Sequence, residues 1–299
     1  MIENMRATLG VIPTKLQNEQ VQVPNKVISL NQAVIYYNNF YNTRLANGAS
    51  DTTRAVWFEF KALKNYFNRV INFCTKKNIE ISKFAFLLGA DENNQRTVFI
   101  APVTYDEQLD LHRAFSFDSD EITFIHRFAG EDYSTIKDFD QLQSLDQSLI
   151  FCDSKPISSA EAIALYNNYH DAVTAPFSDV VESDTRFVYY EKGEFEAYLT
   201  FLEEQTRAKE ITLSGLNIVF AARNNDDEAG IYANRITLFF APTLEENTKI
   251  SFSTFDAPKE LTLDFSENIW GVHPIKILTS QKSTLFNRGN SAPPPYHWD

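Results

Sequence analysis

Glycine and proline are scarce in this chain: 9 Gly and 11 Pro among 299 residues leave no room for a collagenous or glycine-repeat architecture. Cysteine is scarcer still, with 2 residues, Cys74 and Cys152, in apolar or mixed segments. Two cysteines make no disulfide framework, and each reads as a buried free thiol in a reducing interior. Positive charge is the minority sign: 27 Lys and Arg against 40 Asp and Glu give a formal charge of −13. A surface so negative repels phosphate backbones and argues against a nucleic-acid partner. No stretch approaches the ~18 apolar residues of a membrane-spanning helix. Even Phe84-Ala85-Phe86-Leu87-Leu88 soon meets Asp91 and Glu92. The start, Met1-Ile2-Glu3-Asn4-Met5-Arg6, lacks the basic lead and apolar run of a secretory signal. The expectation is a soluble, cytoplasmic protein without membrane insertion.

Signatures of chemistry are missing too. The glycines are scattered, so neither G-x-G-x-x-G nor a P-loop occurs; Gly10-Val11-Ile12-Pro13-Thr14-Lys15 comes nearest and lacks the second Gly. The histidines (His112, His126, His170, His273, His297) form no pair at metal-binding spacing, and there is no C-x-x-C. No metal site and no cofactor are expected. G-x-S-x-G is absent, and Cys152 with His126 or His170 is only a co-occurrence. Asp226-Asp227-Glu228 lacks the alternate spacing of a calcium loop and reads as a solvated charge run.

What is present in quantity is apolar: 43% hydrophobic and 14% aromatic residues suffice for packed cores and exclude a disordered chain. At about 100–200 residues per domain the length suggests two domains. The sequence also repeats itself. Ile28-Ser29 through Tyr37-Asn38-Asn39-Phe40 matches Ile157-Ser158 through Tyr166-Asn167-Asn168-Tyr169 at an offset of 129. Val56 to Asp91 runs onto Val188 to Arg223 at an offset of 132, pairing Glu59 with Glu191 and Tyr66 with Tyr198. Thr97–Pro102 pairs with Thr237–Pro242 at an offset of 140. The rise in offset implies insertions in Ala172–Asp184 and Arg223–Arg235, polar stretches where loops tolerate length.

This colinearity predicts an α+β protein built of two tandem copies of an α-β-α-β-β unit, related by internal duplication about a pseudo-twofold axis. Residues 1–25 form an N-terminal arm, 26–140 the first repeat domain, 141–154 a linker, 155–280 the second repeat domain and 281–299 a Pro-rich C-terminal tail. Each copy is long enough to enclose its own core. Ser29 and Ser158 are placed to cap a helix. Phe60, Leu63, Phe67, Val70 and Cys74 make one helical face, with Phe195, Tyr198, Leu199 and Leu202 as counterpart. Val56-Trp57-Phe58, Phe84–Leu88 and Thr97–Ala101 read as strands, as do Val188-Tyr189-Tyr190, Leu216–Phe220 and Thr237–Ala241.

Residues kept in both copies are the candidates for function. Tyr37/Tyr166, Tyr66/Tyr198 and Phe99/Phe239 read as core. Asn38 and Asn167 are polar and retained, suited to ligand contact or to bonding backbone near a helix end. Arg54/Arg186, with Glu59/Glu191 five residues on, form fixed ion pairs or line an anion-binding groove between the copies. The end, Ser291-Ala292-Pro293-Pro294-Pro295-Tyr296-His297-Trp298-Asp299, is a stiff polyproline segment with two aromatics. Pro294, Tyr296 and Trp298 are partner-binding candidates, docking in cis or in trans. Deleting 291–299 is expected to spare folding and weaken partner capture.

The runs Val56-Trp57-Phe58, Ile79-x-Ile81-Ser82-Lys83-Phe84-Ala85-Phe86 and Thr97–Pro102, with the proline-rich end, resemble a family of uncharacterised bacterial proteins. In that family duplicated Trp-Phe, amphipathic-helix and strand-Ala-Pro motifs precede a Pro-rich C-terminus. Copy two departs from the pattern at Tyr189 and Ala221, and the resemblance carries over no catalytic residue. The expected function is a non-enzymatic binding or scaffold protein. Its duplicated domains build a composite surface for a protein partner or small ligand. The alternative is a hydrolase with its site in the cleft between repeats, where Arg54, Arg186, Glu59 and Glu191 would meet.

Overall fold

The computed structural model describes residues 26–46, 51–108, 110–118, 121–125, 148–169, 184–224, 232–244, 250–252, 262–264, 285 and 290–292. Chain order begins with α1 (Leu30–Phe40), prolonged by a π-helical turn (Tyr41–Leu45), then β1 (Ala55–Glu59), α2 (Phe60–Lys77), β2 (Lys83–Ala90), β3 (Arg96–Asp106), β4 (Leu111–Asp118) and β5 (Glu121–Phe124). It continues with β6 (Ile150–Cys152), β7 (Lys155–Ile157), α3 (Ser159–Asn168), β8 (Phe187–Glu191), α4 (Lys192–Ala208), β9 (Leu213–Ala222), β10 (Ile236–Leu244), β11 (Ile250–Phe252), β12 (Thr262–Asp264) and β13 (Asn290–Ala292). The fold is α+β.

Local chemistry explains the element ends. The Ser29 hydroxyl accepts from Gln32 N and the Ser158 hydroxyl from Glu161 N, each satisfying an orphan donor of α1 or α3. α2 buries Phe60, Leu63, Phe67, Val70 and Cys74 on one face and stops where Asn78 turns left-handed at φ 56°. Lys76 and Lys77 lie at the negative end of its dipole.

Strand pairing is where the two halves of the sequence meet. Sheet order is β1-β9-β10-β11-β12 in one sheet. The other runs β13-β8-β2-β3-β4-β5, with β6 on β3 and β7 on β6. β1 therefore sits beside β9 of the later segment, and β8 beside β2 of the earlier one. The registers correspond. Phe58 faces Leu216 and Ala55 faces Val219 in one sheet, while Tyr190 faces Phe84 and Phe187 faces Leu87 in the other. β2 on β3 pairs Phe84 with Pro102, as β9 on β10 pairs Leu216 with Pro242. The helices follow the strands: α1 packs on β9 and α3 on β2.

Alternation along the strands distributes side chains between the faces. Phe84, Phe86 and Leu88 of β2 enter a shared interior with Leu216, Ile218 and Phe220 of β9. Ala85 and Leu87 face α3, and Val219 and Ala221 face α1. Both sheet faces are covered, which accounts for the near-continuous apolar strands. α2 and α4 fill the interior between the sheets. Phe86 lies 5.2 Å from Phe195 of α4 and 4.9 Å from Phe240 of β10, centroid to centroid. The Tyr66 hydroxyl of α2 donates to the carbonyls of Ile100 and Leu149. A separate core inside each copy is thus not what forms. Exchanged strands cannot bury their inner faces within their own half, so one interior draws on both.

Charges are also buried, in pairs. Asp51 accepts from Thr53 N, from Arg96 N and from the Arg96 guanidinium at 2.7 Å. Asp184 accepts from Thr185 N, from Ile236 N and from Arg44 at 2.8 Å. Each aspartate precedes an exchanged strand and holds the first N–H of β3 or β10. The Arg44–Asp184 pair joins the two segments, and breaking such a buried pair from one side costs about 3–5 kcal/mol.

The region assigned to the C-terminal tail contributes to the fold. Leu285 is fully buried, its carbonyl accepts from Ile28 N at 2.9 Å, and β13 pairs with β8 through Asn290–Ala292. Truncation after Ala292 should leave the melting temperature within a degree or two, whereas truncation before Leu285 should lower it by several degrees, as thermal denaturation would read. A deletion from 291 removes paired strand residues, so the expectation that it spares folding is revised. Gly215 offers a second measurement. A Cβ there would overlap the Phe58 carbonyl oxygen and the Trp57 indole, while one at Gly193 meets nothing within 4 Å. Gly215→Ala should destabilise by about 1–3 kcal/mol. Gly193→Ala should stabilise α4 by up to ~1 kcal/mol, both measured by denaturant titration.

Candidate functional site

The retained arginines act on tyrosines rather than on the glutamates. Arg54 and Glu59 flank β1 at opposite ends, about 17 Å apart at the rise of an extended strand, and Arg186 and Glu191 do the same on β8. Neither forms the ion pair along its own strand that the spacing suggested. Burial pushes the Tyr37 phenol up to about 12 against the lowering effect of the Arg54 guanidinium that bonds it. Arg186 is buried, its guanidinium 4.3 Å over the Tyr166 ring and donating to the Tyr166 carbonyl at 3.3 Å. The two backbones pair equivalently, Arg54 O with Phe220 N and Arg186 O with Leu88 N. Each arginine thereby fixes a tyrosine of the helix that covers the exchanged strand.

The other candidates disperse. Asn38 and Asn167 occupy the last turns of α1 and α3, half-buried over different sheets. It is the neighbouring Asn39 that reaches across, donating to the Arg223 carbonyl and the Asn234 side chain. Glu59 is exposed, with its N–H donating to the Ser154 hydroxyl. Pro294, Tyr296 and Trp298 lie outside the described residues.

A cavity of about 390 Å3 opens instead on the outer face of the sheet containing β2. Lys83, Val103, Tyr105, Asp110, Leu111, His112, Phe187 and Tyr189 line it. Adjacent strands bring these side chains together. The antiparallel register sets Lys83 opposite both Val103 and Glu191, and Tyr105 opposite His112. Residues directly opposite share a face. Lys83 Nζ lies 3.6 Å from the Glu191 carboxylate and 4.6 Å over the Tyr189 ring. Among the described residues Glu191 is the one sequence candidate that reaches this place. The Tyr105 hydroxyl donates to Asp110, which raises its phenol, and its ring meets His112 edge-on at 5.5 Å.

His112 is held neutral. Partial burial lowers its pKa below the usual 6.5, and the Lys83 ammonium lowers it further against the opposing pull of Glu191 and Glu80. Its Nδ1 lies 3.5 Å from the Ser82 hydroxyl, the outer limit of a hydrogen bond. The site can thus offer a cation, an imidazole donor and two phenols above an apolar floor.

Cys74 and Cys152 are buried free thiols, each pushed up to about 12 chiefly by burial. Neither supplies thiolate at neutral pH. His126 and His170, whose presence alongside Cys152 reads from sequence as a co-occurrence only, lie outside the described residues. Among the described residues no three of His, Cys, Asp or Glu converge as a metal site would need, and no helix is long and apolar enough to cross a membrane.

No family model, no curated protein and no solved structure matches this chain.

The imidazole gives a direct check of the site's electrostatics. An NMR titration should place the His112 midpoint below 6.5, and Lys83→Gln should raise it. An unchanged midpoint would show that the ammonium does not face the ring. The sign carries to stability. A base with a depressed pKa in the folded state takes up its proton later than in the unfolded state, so its contribution is lost as pH falls through 6.5 toward the folded value.

Proposed function

We propose that this protein is a non-enzymatic binding protein whose ligand occupies the cavity at Lys83, His112 and Tyr189. The supporting observation is composition by segment: Lys83, Val103, Tyr105, Leu111 and His112 come from the earlier half, Phe187 and Tyr189 from the later. The surface is composite because a strand of one half lies in the sheet of the other. An end-to-end duplication, with repeats at 26–140 and 155–280 about a pseudo-twofold axis, belongs to the same reading. The equivalent registers of β1 on β9 and β8 on β2 support it. So does the affiliation with duplicated bacterial proteins, which rests on core-forming motifs and adds no site residue. The two free thiols favour a cytoplasmic location, and the charge of −13 stands against a nucleic-acid partner.

A hydrolase is the second reading, favoured by one contact, the Ser82 hydroxyl beside His112 Nδ1. Nucleophilic catalysis needs the serine held closer to an imidazole that a third group orients. A fluorophosphonate probe separates the two. The binding reading expects no labelling of Ser82 above that of Ser82→Ala, together with saturable fragment binding that Leu111→Trp abolishes by filling the cavity. Labelling of Ser82 that is lost in His112→Ala would make the protein a hydrolase.

A further inference from the structure

Each sheet has a corner built on the same register. In one, Gly215 of β9 pairs with Thr243 of β10, and Trp57 lies on the neighbouring β1. In the other, Lys83 of β2 pairs with Val103 of β3, and Tyr189 lies on the neighbouring β8. The first corner is closed by the protein itself. The Trp57 indole lies on the bare backbone of Gly215, and its Nε1 donates to the Thr243 hydroxyl at 3.1 Å. Ser214 Oγ, 2.9 Å from that hydroxyl, completes the arrangement.

The second corner carries three changes. A lysine stands where the glycine left room, a valine replaces the hydroxyl that held the indole, and a smaller phenol replaces the indole. Tyr189 takes the Lys83 ammonium on its ring face, and a cavity of about 390 Å3 lies at this corner, where the other corner holds an indole. Ligand pockets begin near ~300 Å3.

Resting on the binding reading above, we propose that this cavity takes a planar aromatic monocarboxylate, its ring against Val103, Leu111 and Phe187 and its carboxylate on Lys83 and His112. The ring follows from the indole that fills the corresponding place in the other sheet, and from the apolar walls of Val103, Leu111 and Phe187. The negative charge follows from Lys83. Its distance of 3.6 Å from Glu191 exceeds hydrogen-bond length, so the ammonium retains donors for a closer acceptor. Imidazole N–H donation from His112 adds to it. A cationic ligand is disfavoured, because Lys83 already occupies the Tyr189 ring face and Asp110 is engaged by Tyr105.

Amide NMR of the full-length protein tests this with four probes: indole-3-acetate, neutral indole, tryptamine and cyclohexylacetate. Indole-3-acetate should shift the amides of Lys83, Val103, His112 and Tyr189 saturably and bind about tenfold tighter than indole or tryptamine, the usual scale of one charge-assisted contact, and about threefold or more tighter than cyclohexylacetate, which keeps the charge and lacks the aromatic face. Lys83→Met should reduce its affinity to that of indole, with a thermal melt to verify folding. Val103→Phe, which adds a ring to the apolar lining, is the second variant and should abolish binding. Equal binding of tryptamine or indole, or no loss in Lys83→Met, overturns the anionic assignment. Equal binding of cyclohexylacetate overturns the aromatic one. Either result leaves a binding cavity standing. No saturable shift at these amides with any probe overturns the cavity as a binding site, and the proposal with it.

Discussion

Antiparallel pairing between β1 and β9, and between β8 and β2, is the constraint on which the architecture rests. A strand lodged in the other half's sheet takes its helix with it, so α1 and α3 cover the sheets they do not belong to by sequence. It also forces a common interior. Once Phe58 is beside Leu216, and Tyr190 beside Phe84, the inner faces of the two sheets and both long helices bury one another, and no plane divides the apolar interior by segment. Hydrophobic burial at ~25 cal/mol per Å2 is then a property of the whole chain.

Much of the local structure was legible. Ser29 and Ser158 mark helix starts because a hydroxyl before an apolar period has one good use there, and the face of α2 follows from spacings of three and four. Pairing was not legible, because period-two alternation says which side chains are inward and is silent on which strand lies alongside. β4 escaped notice for a related reason. Its Arg113 is buried beside Asp106 and stacked over Phe124, so a charged residue sits where the sequence reads solvent. Asp51 and Asp184 were likewise passed over in polar stretches that read as loops, and they prove to be hydrogen-bonded anchors.

Among the sequence candidates the cavity was almost invisible. Its lining residues span Lys83 to Tyr189, and the runs that contain Lys83 and Tyr189 read as core-forming; among the described residues only Glu191, the partner of Lys83, was a site candidate nearby. The residues retained in both halves do not line this cavity. Arg54 and Arg186 recur because each half needs a helix fixed over an exchanged strand, a demand of packing. The cavity arises where the halves differ, at Lys83 against Gly215 and Tyr189 against Trp57. In a chain with internal correspondence, the identities describe the scaffold and the mismatches mark where chemistry has room to diverge.

The exchanged strands also set a timetable for synthesis. Ala55 and its partner Val219 are 164 residues apart (219 − 55). At ~5–20 residues per second, β1 leaves the ribosome roughly 8–30 s before its partner β9 exists to receive it. During that interval the aromatic run around Trp57 and Phe58 lacks its native edge, and β2, one of the most apolar strands, waits for β8. The nascent chain must therefore carry unpaired, sticky edges for most of its translation, a burden that a protein of self-contained halves would have escaped.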